Sequence, residues 1–216
     1  MPNTPNIDNL HVRFSRAVED PVETASADGK QFSIEDREDY INRAVNDLVL
    51  DTYAMAGSDR VRDVFQGLIS TQAISFSSAG VALEDDDNEI IELLVPVSLT
   101  KSGSSSVFVH HGRKEELDSN IVPHITAAAY TIYANLLYAY ESGTILNAGT
   151  GTFFYIKKSF GEQGVTDIQV SPGLFDAIVD YAATLAFEDT GELQSADARA
   201  GRVKVIKLVL GGREVK

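Results

Sequence analysis

The sequence predicts an α+β protein: a helical bundle built on a long N-terminal helix and a C-terminal αα-hairpin, with an inserted antiparallel β-meander and extended terminal arms. Three observations predict it. Apolar residues recur at helical spacing over residues 33–56 and again over 171–210, while residues 61–160 carry β-branched and aromatic runs broken by glycine-rich turns. The boundaries that follow are an arm over residues 1–32, a main domain over 33–210 with its β-rich insertion at about 61–160, and a tail over 211–216.

The C-terminal hairpin is the stretch around which the rest is organised. Ser171 suits a helix cap and Pro172 its first turn, where a missing N–H costs nothing. Leu174, Ile178, Tyr181, Leu185 and Ala186 then share one face. Gly191 reads as a stop, and Leu193, Ala196, Ala200, Val203, Ile206 and Leu210 continue the spacing in a second helix. So short a break folds two amphipathic helices back on each other.

The N-terminal helix begins at Ser33, whose spacing to Asp36 matches a capping box with Asp in place of Glu. Tyr40, Ile41, Ala44, Val45, Leu48, Val49 and Thr52 form its apolar face, and Gly57 ends it. Between the helices, Val64–Ile69, Ala73–Phe76, Ile90–Val95 and Val107–Val109 read as strands. Residues 127–140 fit either a helix or a strand. The turn at Glu141-Ser142-Gly143 and the runs Thr144–Leu146 and Thr152–Ile156 favour strands, and hence a meander. Met1 to Lys30 is polar, with Leu10, Val12, Phe14 and Val18 as anchors for an arm that orders against a neighbour.

Composition bounds the function. The 216 residues include no cysteine, which removes disulfides, thiolate metal sites and cysteine nucleophiles. No apolar run approaches the roughly 20 residues that span a bilayer, and Met-Pro-Asn-Thr-Pro-Asn has neither region of a signal peptide, so cytosolic synthesis is expected. A net charge of −14 argues against a phosphate-gripping nucleic-acid binder. The charge is uneven: Arg199, Arg202, Lys204, Lys207, Arg213 and Lys216 face Glu214 alone in the last eighteen residues. An acidic body with a basic C-terminal helix suits self-complementary or partner-directed docking, although a solvated helix face explains any single charge as well.

No catalytic or cofactor motif stands out. His110 and His111 are adjacent, so on a strand they point to opposite faces and do not chelate one ion. Glu84 to Glu89 is acidic but lacks the glycine and terminal glutamate of a calcium loop, and a solvated turn is the better account. Gly149-Thr150-Gly151 is followed by no Lys-Ser/Thr and reads as a hairpin rather than a phosphate loop. There is no Gly-x-Ser-x-Gly elbow, and Glu188-Asp189 sits at a helix end as solvent-facing charge. No metal, cofactor or catalytic residue is expected.

The order of segments carries a resemblance. Glu35-Asp-Arg-Glu-Asp-Tyr-Ile-Asn-Arg-Ala-Val-Asn-Asp-Leu48 precedes a strand-rich middle with Glu115-Glu116-Leu117 and Asn120-Ile121-Val122-Pro123. Then come Glu141-Ser-Gly-Thr-Ile-Leu146, Gly151-Thr-Phe-Phe-Tyr-Ile-Lys-Lys158 and Leu174-Phe-Asp-Ala-Ile-Val-Asp-Tyr-Ala-Ala-Thr-Leu-Ala-Phe-Glu-Asp-Thr-Gly-Glu-Leu193. Over roughly 33–210 this pattern resembles the head-to-tail adaptor (connector) proteins of tailed bacteriophages; the N-terminal arm departs from it.

The resemblance implies a non-enzymatic virion protein made in the host cytoplasm. It implies a ring, usually a dodecamer, placed at the neck below the portal protein and above a downstream tail protein. Double-stranded DNA passes through such a ring without sequence-specific binding, and no membrane is involved. The acidic balance suits a conduit that must not hold phosphates. Arg202, Lys204, Lys207, Arg213 and Lys216 become candidate contacts to the portal or to a neighbouring subunit. Two rivals are a tail-completion or stopper protein of the neck and a small acidic enzyme with an unrecognised site.

Overall fold

The computed structural model describes residues 7–18, 32–84, 89–104, 107–110, 112–118, 128–158 and 172–211. The chain divides into a unit made of residues 1–68 and 158–216 and a second made of residues 69–157.

The first unit is helical. Its members are α1 (Ile7–Ala17), α2 (Ile34–Val64) with a 3-10 turn at Gln66–Leu68, α4 (Pro172–Asp189) and α5 (Leu193–Leu210). The helix α4 packs against all three others, which explains its composition: every described residue from Ala182 to Phe187 is buried, not one stripe. Ile178, Ala182, Ala183 and Ala186 are wholly buried, and the alanines let neighbouring backbones approach closely. From α2 come Ile41, Ala44, Val45, Leu48 and Val49, the face that the spacing predicts. The capping box also forms: Asp36 N donates to Ser33 Oγ at 3.1 Å and Ser33 N to Asp36 Oδ2 at 2.9 Å. Ser171, expected to cap α4, lies outside the described residues.

Two features of this unit correct the sequence reading. Where an extended arm is expected, α1 forms, and its Leu10 and Phe14 are fully buried. Phe14 stacks on Tyr40 at 6.0 Å and meets Phe32 edge-on at 5.8 Å, so three rings fasten α1 to the start of α2. Gly57 does leave helical geometry (φ 77°, ψ −175°), but the helix resumes beyond it to Val64. The run Val64–Ile69, read as a strand, instead ends α2 and forms the 3-10 turn, and Phe65 is wholly buried, as is Val61 where the β-rich insertion was expected to begin.

The second unit overturns the larger expectation, a helical bundle with an inserted β-meander. It holds a large curled, mixed sheet of eight strands. These are β1 (Ser70–Ser75), β2 (Val81–Ala82), β3 (Leu93–Lys101), β4 (Val107–His110), β5 (Ala129–Tyr133), β6 (Leu136–Glu141), β7 (Thr144–Ile145) and β8 (Thr150–Lys157), with a short helix α3 (Lys114–Asp118). The spatial order is β1-β8-β3-β4-β5-β6-β2, with β7 on β6. A meander places sequence neighbours side by side, yet here β8 lies between β1 and β3, and β4 pairs parallel to β5. Gly149-Thr150-Gly151, expected to form a hairpin, opens β8 instead. A Cβ at Gly151 would meet Thr100 O at 2.3 Å, so only glycine lets β8 lie this close to β3.

The curl gives this unit its own core. Ile74, Phe76, Leu83, Ile91, Leu99, Phe108, Tyr130, Leu137, Phe153 and Tyr155, drawn from across the sheet, pack together inside it. Gln72 of β1 donates through Nε2 to Ala82 O (3.3 Å) and Glu84 O (3.1 Å), so one side chain ties the β1 edge to the β2 edge. Among the described residues no helix is long and apolar enough to cross a membrane.

Candidate functional site

The basic C-terminal helix was the candidate, and its cations fall into two groups. Arg199 points inward: Nη1 donates to Asp180 Oδ1 at 2.7 Å, Nη2 to Ala17 O at 2.9 Å, and the guanidinium lies 5.7 Å from the Phe187 ring centre. One planar group thus ties α1, α4 and α5 together. Lys207 is a second internal tie. Its Nζ lies 2.7 Å from Asp51 Oδ2 on α2, donates to Tyr181 Oη at 3.1 Å on α4, and sits 4.2 Å from that ring. Tyr181 passes its own hydrogen to Asp47 Oδ2 at 2.8 Å. Burial works against the Lys207 charge, but Asp51 and the Tyr181 hydroxyl outweigh it and raise the ammonium's pKa.

Of the five candidate contacts, Lys207 is therefore committed within its own unit. Arg202 and Lys204 are exposed, while Arg213 and Lys216 lie outside the described residues. The end of α5 is fixed as well. Arg60 donates to Leu210 O at 2.8 Å and Val209 O at 3.2 Å, which satisfies terminal carbonyls. Gly211 N donates to Lys207 O, and Gly211 is buried beside Met55, so Gly211, which the sequence reading assigned to the tail, packs with the helical unit.

A feature that the spacing argument missed lies on the outer face of α5. Val205 and Val209 are 45% and 51% exposed, with Arg202 on the same face at i, i+3, i+7 spacing. Of the residues assigned to the buried face, Val203 is buried, Ile206 and Leu210 are half-buried and Ala200 is exposed. The available signal was Val203, Val205, Ile206, Leu208, Val209 and Leu210 together: too many apolar residues for one buried stripe.

In the sheet unit the main polar cluster joins α3 to β6. Lys114 Nζ contacts Asp118 Oδ2 at 2.5 Å and lies 4.6 Å from the Tyr138 ring; Tyr140 Oη donates to Asp118 Oδ1 at 2.6 Å. Hydrogen bonds from Lys114 and Tyr140 lower the Asp118 pKa, while burial and the Asp118 bond push Tyr140 upward. Lys114 is raised by its bond to Asp118. The cluster clamps α3, through its own Leu117, onto Ala129 and Tyr140.

His110 sits against the Tyr130 ring at 5.2 Å, and His111 lies outside the described residues. Glu84 and Glu89 flank Asp85 to Asn88, which also lie outside them. Glu84 forms an antiparallel bridge to Ile90, and Ile91 N donates to Leu83 O at 2.9 Å. Among the described residues no three His, Asp or Glu side chains are grouped to hold a metal ion. Comparison with known proteins finds no matching family model and no significantly similar curated protein.

Proposed function

We propose that this chain is a non-enzymatic subunit of a ring, a head-to-tail adaptor at the neck of a tailed-phage virion. In this reading it docks on the portal above and on a tail protein below, and it continues the channel for double-stranded DNA. The segment order that resembles connector proteins motivates the proposal. The observation that carries it is α5: three basic side chains (Arg60, Arg199 and Lys207) anchor it, yet it presents exposed Val205 and Val209 beside Arg202. A helix held rigidly with an apolar strip facing outward is suited to assembly. The net charge of −14 supports passage of DNA without retention.

Native mass measurement tests the reading. The expected result is a closed oligomer of about a dozen copies in the virion neck or in a mixture with portal protein. A chain that stays monomeric at high concentration, with and without portal, refutes it. Cosedimentation with tail tube but not with portal favours the stopper position.

A further inference from the structure

We propose that the outer face of α5 docks on the acidic sheet patch of a second copy of this chain, around Glu84, Ile90 and Glu92. The proposal rests on the ring reading and supplies its subunit contact. Two complementary surfaces carry it.

The first surface is the helix face already described. Val205 and Val209 form its apolar centre, Arg202 shares that face, and exposed Lys204 flanks it. Asp197, two turns before Lys204 along the same flank, bounds the basic stretch. Arg199 and Lys207 take no part, because their partners lie within the helical unit.

The second surface follows from strand alternation. Leu83 and Ile91 point into the sheet core, so Glu84, Ile90 and Glu92 point outward. Glu84 and Ile90 sit opposite each other in the bridge, and Glu92 follows Ile90 on the same face. Ile90 is 61% exposed between exposed carboxylates, and the two valines of α5 are exposed beside Arg202 and Lys204. An isoleucine set on an acidic rim matches valines set on a basic rim in both chemistry and sign.

The two faces are different, so the contact is heterologous, each subunit offering one face to each neighbour. Closed rings are built from head-to-tail contacts of this heterologous kind. Charge pairing at the rim orients encounter, and burial of Ile90, Val205 and Val209 supplies the lasting attraction.

Charge exchange tests it in the full-length chain. One variant carries Arg202→Glu with Lys204→Glu, and the other Glu84→Lys with Glu92→Lys. Each alone is expected to need more than about tenfold higher concentration than wild type to oligomerise, because like charges then face each other. Mixed in equal amounts, the two restore the oligomer, since each reversed face meets an opposite charge. Val205→Ser with Val209→Ser, which leaves the charges intact, should weaken assembly and remain unrescued by either charge variant. Circular dichroism and melting establish that each variant is folded. Folded charge variants that oligomerise like wild type overturn this contact and leave the ring reading standing. Absence of rescue on mixing also overturns it. A wild-type chain that never oligomerises overturns both.

Discussion

Replacing Gly57 with alanine isolates what the break in α2 costs. The residue sits at φ 77°, ψ −175°, a region that is essentially glycine-only. A Cβ placed there meets nothing within 4 Å, so no clash with the rest of the fold enters the balance. What remains is local backbone strain of about 1–3 kcal/mol, offset by about 0.4–1 kcal/mol because alanine restricts the unfolded chain. The helix has one escape, which is to run straight through. Alanine favours that by about 1 kcal/mol over glycine. Straightening, however, would displace Val61 and Phe65, both fully buried, and would pull Arg60 from the last carbonyls of α5. Exposing two such side chains costs about 1.5–3 kcal/mol each, so the break persists under strain.

Gly57→Ala is therefore expected to lose about 1–2 kcal/mol without gaining helix. Gly201→Ala provides the matched control: Gly201 lies within α5, is exposed, has no positive φ, and a Cβ there also meets nothing within 4 Å. At that position the same substitution should stabilise by about 0.5–1 kcal/mol. Denaturant titration followed by far-ultraviolet circular dichroism measures both. If Gly57→Ala matches or exceeds wild-type stability, the strain argument is wrong.

Three further outcomes are expected. Leu185→Asp places a carboxylate in the core of the helical unit and should cost several kcal/mol; melting and assembly unchanged from wild type would mean that this site relaxes into solvent. Ending the chain at Leu210 instead of Gly211 removes the buried Gly211 N–H to Lys207 O bond, so the shorter chain should lose about 1 kcal/mol in thermal melts. Asp118 has a folded pKa below its ordinary 3.8, so its contribution is fully present above that value and fades as pH falls through the folded pKa. Asp118→Asn should flatten the acid limb of the sheet unit's stability curve, and an identical acid limb in both proteins would remove Asp118 from the clamp.

The helices were legible because their information is local. Ile41, Ala44, Val45, Leu48 and Val49 can be read from spacing alone, and each is buried. The Ser33–Asp36 box needs only three residues of separation. Hairpin turns are local too: Ser142 and Gly143 carry positive φ between β6 and β7, as expected at Glu141-Ser142-Gly143. The equally short turn between β5 and β6 uses Ala134 and Asn135, both at positive φ, and alanine gives no warning of that. Sheet order was not legible. Alternation says which face of Phe153 is buried but not that β8 lies between β1 and β3. The first helix was missed because two anchors, Leu10 and Phe14, carry it, and the rings that meet Phe14, Phe32 and Tyr40, are distant in sequence.

The basic C-terminus shows the same limit for function. A count of six cations against one glutamate suggests a uniformly basic arm, but charge in a count has no direction. Asp180 and Asp51, from two other helices, claim Arg199 and Lys207 and convert half of the four described cations into internal fasteners. Among the described residues, Arg202 and Lys204 remain outward beside two valines, a more specific surface than net charge implies. Two exposed cations are screened within about 10 Å at moderate salt, so an arm of charge alone would bind weakly and let go as salt rises. The valines change that balance, because burial of apolar surface does not fade with ionic strength. Assembly through α5 should accordingly slow in high salt yet persist, and this partial salt dependence separates a docking face from a merely solvated basic helix.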